Sequence, residues 1–124
     1  MKFEIVENRN RNRHHLETTY KNINCIVVNG STIFLNGKIM DLLQIKKGSE
    51  ILFSKSGRSI YIANVTDHYK TGFLLTHKSK NVRYFRSVRL VKELDLKNGY
   101  FEIETFPVYD EYEKIDWHKL TLIK

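Results

Sequence analysis

The chain has 124 residues, of which 41% are hydrophobic and 28% are charged, a composition typical of globular proteins. A chain of this length is expected to form one domain, residues 1–124, with a core that needs no disulfide. The one cysteine, Cys25, excludes an intrachain disulfide and lies in the apolar run "CIVV", which predicts a buried residue. No apolar run approaches the roughly 20 residues of a membrane span, so we expect a cytoplasmic protein that does not enter a membrane.

The net charge is +7, and the charges are segregated along the chain. Residues 68–92 contain seven Lys or Arg and no acid, whereas residues 93–124 contain eight acids and four bases. A local excess of positive charge favours polyanionic partners. The alternative is a basic surface that only maintains solubility.

The first elements in chain order are strands separated by a basic segment. "KFEIVE" alternates apolar and charged residues and predicts a half-buried strand. Residues 8–15 contain Arg9, Arg11 and Arg13 and no apolar residue, which predicts a flexible basic arm. "INCIVVNG" predicts a second strand that ends in a turn at Asn29-Gly30.

A strand, a short helix and a hairpin are predicted next. "STIFL" is the strand, and Asn36 is the expected N-cap of a helix near 37–45. Ile39, Leu42 and Leu43 have the spacing of one helical face, and Gly48 permits the turn that follows. "EILFS" and "IYIANV" form a hairpin through "SKSGRS", and "GFLLTH" is a further strand.

The same order of elements is predicted again further along the chain. "VRYFR" is a strand, Ser87 caps a helix near 88–96, and Asn98-Gly99 forms the turn into "YFEIE". "HKLTLI" is the predicted final strand. Four identities align residues 34–48 with residues 85–99: Phe34/Phe85, Leu43/Leu94, Lys46/Lys97 and Gly48/Gly99.

This internal repeat, residues 31–64 and 82–115, predicts a fold. One unit of strand, helix and hairpin cannot bury its apolar surface alone, whereas two units can share a core. The expected fold class is therefore mainly β (α+β), a small β-barrel made of two β-α-β-β half-modules.

A family resemblance follows from the motif Leu43-Gln44-Ile45-Lys46-Lys47-Gly48 and its second occurrence at residues 94–99. A strand, a short helix ending in Leu-x-Ile-x-x-Gly and a hairpin resemble the SpoVT/AbrB swapped-hairpin family. The resemblance implies double-stranded DNA as ligand, and a bacterial or phage transcription regulator or antitoxin that forms a homodimer or binds a toxin. Asn36 and Ser87 replace the usual Pro of the family, and Thr32 replaces an Arg that Arg83 matches.

The candidate nucleic-acid site lies in "KSKNVRYFRSVR", where basic residues alternate with aromatic ones. Arg83 and Arg86 are the candidates for phosphate or guanine contact. The supporting cations are Lys78, Lys80 and Arg89, together with the arm residues Arg9, Arg11 and Arg13, which have the character of a minor-groove arm. Tyr84 is either a base-stacking residue or part of the core.

Two other classes of function were weighed. A protein–protein interaction or structural assembly module without nucleic-acid binding is the alternative, since the acidic C-terminal third complements the basic segment of another copy. An enzyme is not expected, because phosphate-loop and nucleophile-elbow motifs are missing from the sequence. The acids near Trp117 and His118 are read as a solvated face, and the five histidines lack metal-ligand spacing, so no metal or cofactor is expected.

Overall fold

The computed structural model describes residues 25–66, 68–79 and 81–123. The predicted first strand and the basic arm at residues 8–15 lie outside these ranges. The described strands are β1 (Ile26–Asn29), β2 (Thr32–Asn36), β3 (Glu50–Ser56), β4 (Ser59–Val65), β5 (Phe73–Leu74), β6 (Thr76–Ser79), β7 (Val82–Arg86), β8 (Gly99–Ile103), β9 (Val108–Asp110) and β10 (Ile115–Leu122). Helix α1 (Ile39–Leu42) lies between β2 and β3, and helix α2 (Val88–Leu94) lies between β7 and β8.

The strands form one antiparallel sheet in the order β5-β3-β4-β10-β8-β1-β2-β7-β6, and β9 pairs with β10 outside this path. Two tight hairpins match their predicted turns. Gly30 (φ +66°) begins the two-residue loop between β1 and β2, and Gly57 (φ +61°) begins the loop between β3 and β4. A positive φ at this position is easily adopted by glycine, which explains why these turns were recognisable in the sequence.

The sheet curls into a nearly closed β-barrel, as predicted. Its two end strands, β5 and β6, are separated in sequence by Leu75 alone. Across the gap, Phe73 of β5 stacks on Phe85 of β7 with ring centroids 4.7 Å apart, and Phe53 of β3 packs 5.9 Å from Phe85. Aromatic packing therefore joins the two ends of the sheet.

Both faces of the central strands are buried. On β1, Ile26 and Val28 belong to the main core inside the barrel, whereas Val27 belongs to a second apolar cluster on the opposite face. A continuous apolar run such as "CIVV" is typical of a strand buried on both sides. Cys25 is fully buried, as predicted, and burial raises the pKa of its thiol to about 11.

The two helices begin differently. The predicted cap of α2 is confirmed, because the Ser87 hydroxyl accepts a hydrogen bond of 3.1 Å from the Leu90 N–H. The predicted cap of α1 is wrong, because Asn36 is the fully buried last residue of β2 and Lys38 is the N-cap. Backbone pairing of Asn36 with Val82 in β7 holds it in the sheet. Both helices are shorter than predicted, and neither helix of the described residues is long and apolar enough to cross a bilayer.

The two segments of the predicted repeat have the same order of strand, helix and strand but differ in detail. Leu43 and Leu94 are both buried at the end of their helices. In the preceding strands, however, Phe34 belongs to the second cluster and Phe85 to the barrel interior, so aligned residues lie on opposite faces. The pairing also differs, because β3 and β4 form a hairpin, whereas β8 pairs with β1 and β10.

Candidate nucleic-acid interface

Strand β7 carries two of the predicted site residues, and it directs them to opposite faces of the sheet. Phe85 points into the barrel, so Arg83, two residues earlier, lies on the same face. Tyr84 packs against Phe34 on the other face, with ring centroids 5.9 Å apart. Arg86 lies on that face too, because it is two residues beyond Tyr84. The side chains of Arg83 and Arg86 therefore lie on opposite faces of the sheet.

Arg83 instead lines a cavity together with the turn that follows α1. The space between them is a cleft of about 340 Å³, which we call the basic cleft. Its lining residues are Ile45, Lys46, Lys47, Gly48, Ser49, Leu74, Leu75 and Arg83. Two lysines from one element and an arginine from another thus converge on one concavity.

The turn beneath the two lysines is held in a defined shape. The Lys46 N–H donates to the Ser49 hydroxyl (2.9 Å), and the Ser49 N–H donates back to the Lys46 carbonyl (3.0 Å). Gly48 adopts φ +88°, a region that other residues avoid. The closing glycine of the sequence motif is therefore explained by the backbone geometry of the turn.

The basic cleft is strongly positive. Its lining residues include three cationic side chains and no carboxylate. Arg83 is half-buried, and its side chain makes neither an ion pair nor a hydrogen bond with the described residues. Glu50, the acid nearest to Lys47 in sequence, accepts a hydrogen bond of 2.8 Å from the Gly72 N–H. A partly buried, uncompensated guanidinium is poorly hydrated, and an anion in the cleft would stabilise it.

The opposite face of β7 holds a smaller group of cations. The Arg86 guanidinium donates through Nε to the Ser31 hydroxyl at 3.1 Å, which joins the end of β7 to the β1–β2 turn. Lys78 Nζ lies 6.0 Å from the centre of the Tyr84 ring, at the outer limit of a cation–π contact. Tyr84 is half-buried, which is intermediate between an exposed base-stacking residue and a core residue, the two interpretations that the sequence left open.

The remaining predicted cations divide into two groups. Arg89 is exposed, and its Nε donates to Glu93 Oε1 at 2.8 Å, a contact that raises the pKa of the guanidinium. Its charge is therefore balanced by a neighbour one helical turn away. Lys80, Arg9, Arg11 and Arg13 lie outside the described residues.

A second concavity lies near the β9–β10 hairpin, and Lys70 and Glu113 in its lining are paired. Glu113 accepts a hydrogen bond from the Tyr69 hydroxyl (2.7 Å) and forms an ion pair with Lys70 (3.4 Å). His68 Nε2 lies 3.5 Å from the same carboxylate. We call these four residues the Glu113 network. The Tyr69 hydrogen bond, followed by the Lys70 contacts, holds the pKa of Glu113 below its ordinary value of 4.5.

Aromatic side chains line the cleft beside this network. It measures about 540 Å³ and is lined by Tyr61, Tyr109, Tyr112 and Trp117 among others. The Trp117 indole N–H donates to Asp110 at 3.3 Å, and the backbone N–H of Tyr112 donates to the same carboxylate at 3.0 Å. The Glu113 N–H also donates to this carboxylate, and its bond, followed by those of Trp117 and Tyr112, lowers the pKa of Asp110. Asp110 and Glu113, two of the acids near Trp117, thus have structural partners.

Lys46 and Lys47 were missed as site residues by the sequence analysis. Their adjacent positive charges were visible, but they were assigned to the turn of the repeat. What identifies them is that the lysine turn lies close to Arg83. This closeness depends on the pairing of β7 with β2 and not on spacing in the chain. Among the described residues, no group of three His, Cys, Asp or Glu side chains has the arrangement of a metal site.

No known family model matches the chain, and no curated protein or solved structure matches it.

Proposed function

We propose that this protein binds nucleic acid and that the basic cleft is its principal phosphate-binding site. The observation that carries the proposal is the half-buried Arg83, without an ion-pair partner in the described ranges, opposite Lys46 and Lys47. Phosphate oxygens accept hydrogen bonds from guanidinium and ammonium groups in nearly any arrangement. Three converging cations are therefore suited to a phosphodiester.

The rigidity of the site supports the same proposal. Arg83 is held by the pairing of β7 with β2, and the lysine turn is closed by two hydrogen bonds. A preformed site loses less conformational entropy on binding than flexible chains do. Cations on the opposite face, Arg86 and Lys78, would add a weaker and less specific attraction.

The biological role is proposed on the sequence resemblance alone. A regulator or antitoxin of the SpoVT/AbrB type, acting in the cytoplasm on double-stranded DNA as a homodimer or with a toxin, would use such a site. The shared order of elements in the two segments and the buried pair Leu43 and Leu94 support a duplicated module. The cations Lys80, Arg89, Arg9, Arg11 and Arg13 would then supply additional charge.

Fluorescence anisotropy with labelled DNA tests the proposal. We expect Arg83→Ala to weaken binding about tenfold and to lower the salt dependence by about one unit of slope. Arg58→Ala is the matched control, since Arg58 lies at the far end of β3, roughly 20 Å from the turn at Ser49. Equal affinities of wild type and Arg83→Ala would contradict the site, and no binding to any nucleic acid would contradict the function.

Protein–protein interaction is the second candidate, and the aromatic residues of the β9–β10 region favour it. Tyr112 is 98% exposed and Phe106 is 86% exposed, and Tyr109 and Val108 are exposed beside them. Exposed aromatic residues are enriched at protein interfaces. The complementary charges of the acidic C-terminal third and the basic segment would join these aromatic contacts, so this function predicts self-association that salt weakens. Sedimentation velocity at two salt concentrations measures it.

A further inference from the structure

The lining of the basic cleft is of two chemical kinds, and this property narrows the proposed ligand. Lys46, Lys47 and Arg83 contribute cationic groups, and Ile45, Leu74 and Leu75 contribute aliphatic groups to the same concavity. Leu74 is 68% exposed, which is unusual for a leucine in a strand that pairs with β3. A ligand that fills this cleft has both an anionic and an apolar surface.

The phosphate backbone of a duplex meets only half of this requirement. In double-stranded DNA the bases are stacked inside, and a protein that approaches the backbone meets phosphates and sugars. In a single strand, an unpaired base lies beside its phosphate and can pack on a protein side chain. The exposed Leu74 surface therefore has a counterpart in an unpaired nucleotide.

The dimensions of the cleft are compatible with one nucleotide. Its volume of about 340 Å³ is at the lower end of the ~300–1,000 Å³ range of small-ligand sites. The lysine turn also presents the N–H groups of Lys47 and Gly48, which have no acceptor among the described residues. Both residues belong to the lining of the cleft, and their N–H groups would add two donors for phosphate oxygens.

We propose that the basic cleft binds one unpaired nucleotide of a single strand, with the phosphate on Arg83 and the lysines and the base on Leu74. The inference rests on the proposed function and narrows it from nucleic acid in general to single-stranded segments. It differs from the duplex ligand that the family resemblance implies. The rest of the strand would follow the exposed edge of β6, where Thr76, His77, Lys78 and Ser79 are all accessible.

Anisotropy titrations with a labelled single strand and with the duplex of the same sequence test the inference. We expect the single strand to bind at least about fivefold more tightly than the duplex, because only the single strand has an unpaired base that can pack on Leu74 and its aliphatic neighbours. Leu74→Ala is expected to weaken single-strand binding about threefold, and Leu74→Tyr to strengthen it through stacking, with duplex binding unchanged. The control is Leu122→Ala, a leucine that is 50% exposed on β10, four strands from β7.

The possible results separate this inference from the proposed function. If the duplex binds as tightly as the single strand, or if the Leu74 variants match wild type while Arg83→Ala weakens binding, the nucleotide inference fails and the proposed function stands. If neither nucleic acid binds, both fail. Thymidine monophosphate is expected to compete only at about 100-fold higher concentration than the strand, because it lacks the additional phosphates. Competition at equal concentration would contradict a strand as the ligand.

Discussion

The basic cleft and the Glu113 network contain cations from the same basic segment of the sequence but differ in how those charges are balanced. Lys70 and His68 lie against the carboxylate of Glu113, which also accepts the Tyr69 hydroxyl. In the basic cleft, by contrast, Arg83 has no acidic partner within the described ranges. The two regions therefore present very different fields to an approaching anion, because the charges of Lys70 and Glu113 cancel whereas the positive charges of the basic cleft add.

This difference shows why net charge alone is a poor guide to a binding site. A lysine within 4 Å of a carboxylate attracts an external phosphate weakly, because the two charges cancel at a distance. A guanidinium without a partner retains its full attraction and is also incompletely hydrated when half-buried. The binding site is expected where cations are unpaired, rather than where they are most numerous.

The largest expected effect concerns the structural support of the two regions. Phe85 lies on β7 beside Arg83 and packs on Phe53 and Phe73 inside the barrel. Phe85→Ala should lower the free energy of unfolding by about 3–5 kcal/mol, because a large core side chain is lost and a cavity remains. Phe106→Ala, at an exposed position near the β9–β10 hairpin, should change it by less than about 0.5 kcal/mol. Urea denaturation measures both changes. Similar losses of unfolding free energy in the two variants would contradict the role of Phe85 in supporting the strand that carries Arg83.

The next effect is on nucleic-acid affinity. Replacing Arg83, Lys46 and Lys47 together by Ala should weaken binding about 100-fold at low salt, because three phosphate-binding cations are lost. Lys70→Ala removes a cation from the same basic segment, but this lysine is already paired with Glu113. The nucleic-acid affinity of the Lys70→Ala variant should therefore remain within about twofold of wild type. Equal losses in the two variants, measured by anisotropy, would mean that total charge rather than the cleft governs binding.

A smaller effect is expected when a paired arginine is released. Arg89 is bonded to Glu93, so Arg89→Ala should weaken nucleic-acid binding less than Arg83→Ala. Glu93→Gln removes the negative charge and should strengthen binding about twofold, since Arg89 then becomes available. Unchanged affinity in Glu93→Gln, together with a normal melting temperature, would place Arg89 outside the interface.

The smallest effect is on the pH dependence of stability. The pKa of Glu113 is held below 4.5 in the folded protein by Tyr69 and Lys70, so its contacts stabilise the fold when the carboxylate is ionised. Wild type should therefore be more stable than Glu113→Gln at neutral pH. This advantage should persist above pH 4.5 and be lost as the pH falls through the lowered pKa of the folded state. Urea midpoints of both proteins across this range measure it, and a constant difference would contradict the network.

Much of the fold was predictable from local patterns. The hairpin turns at Gly30 and Gly57, the cap at Ser87 and the run "CIVV" each have a local physical cause that the sequence displays. Asn36 was misassigned because a residue suited to a helix cap is equally suited to the buried end of a strand when its backbone is paired. Tertiary pairing, which no local pattern reports, decided between the two.

The site was harder to predict than the fold. The sequence correctly predicted that Arg83 and Phe85 share one face of a strand. The same alternation of side chains along β7 places Arg86 on the opposite face. The proximity of Arg83 to Lys46 and Lys47 depends on the pairing of β7 with β2, the strand that precedes α1 and its turn. The pairing of Lys70 with Glu113 likewise joins residues that are 43 positions apart in the chain.

Chemical-shift mapping with a ¹⁵N-labelled protein and a single-stranded oligonucleotide is the most direct test of the central claim. The account predicts that the largest amide shifts occur at residues 45–49, at Leu74 and Leu75, and at Arg83, with the region of Tyr109 and Tyr112 unchanged. Shifts concentrated around Glu113 and the β9–β10 hairpin, with the basic cleft silent, would contradict it.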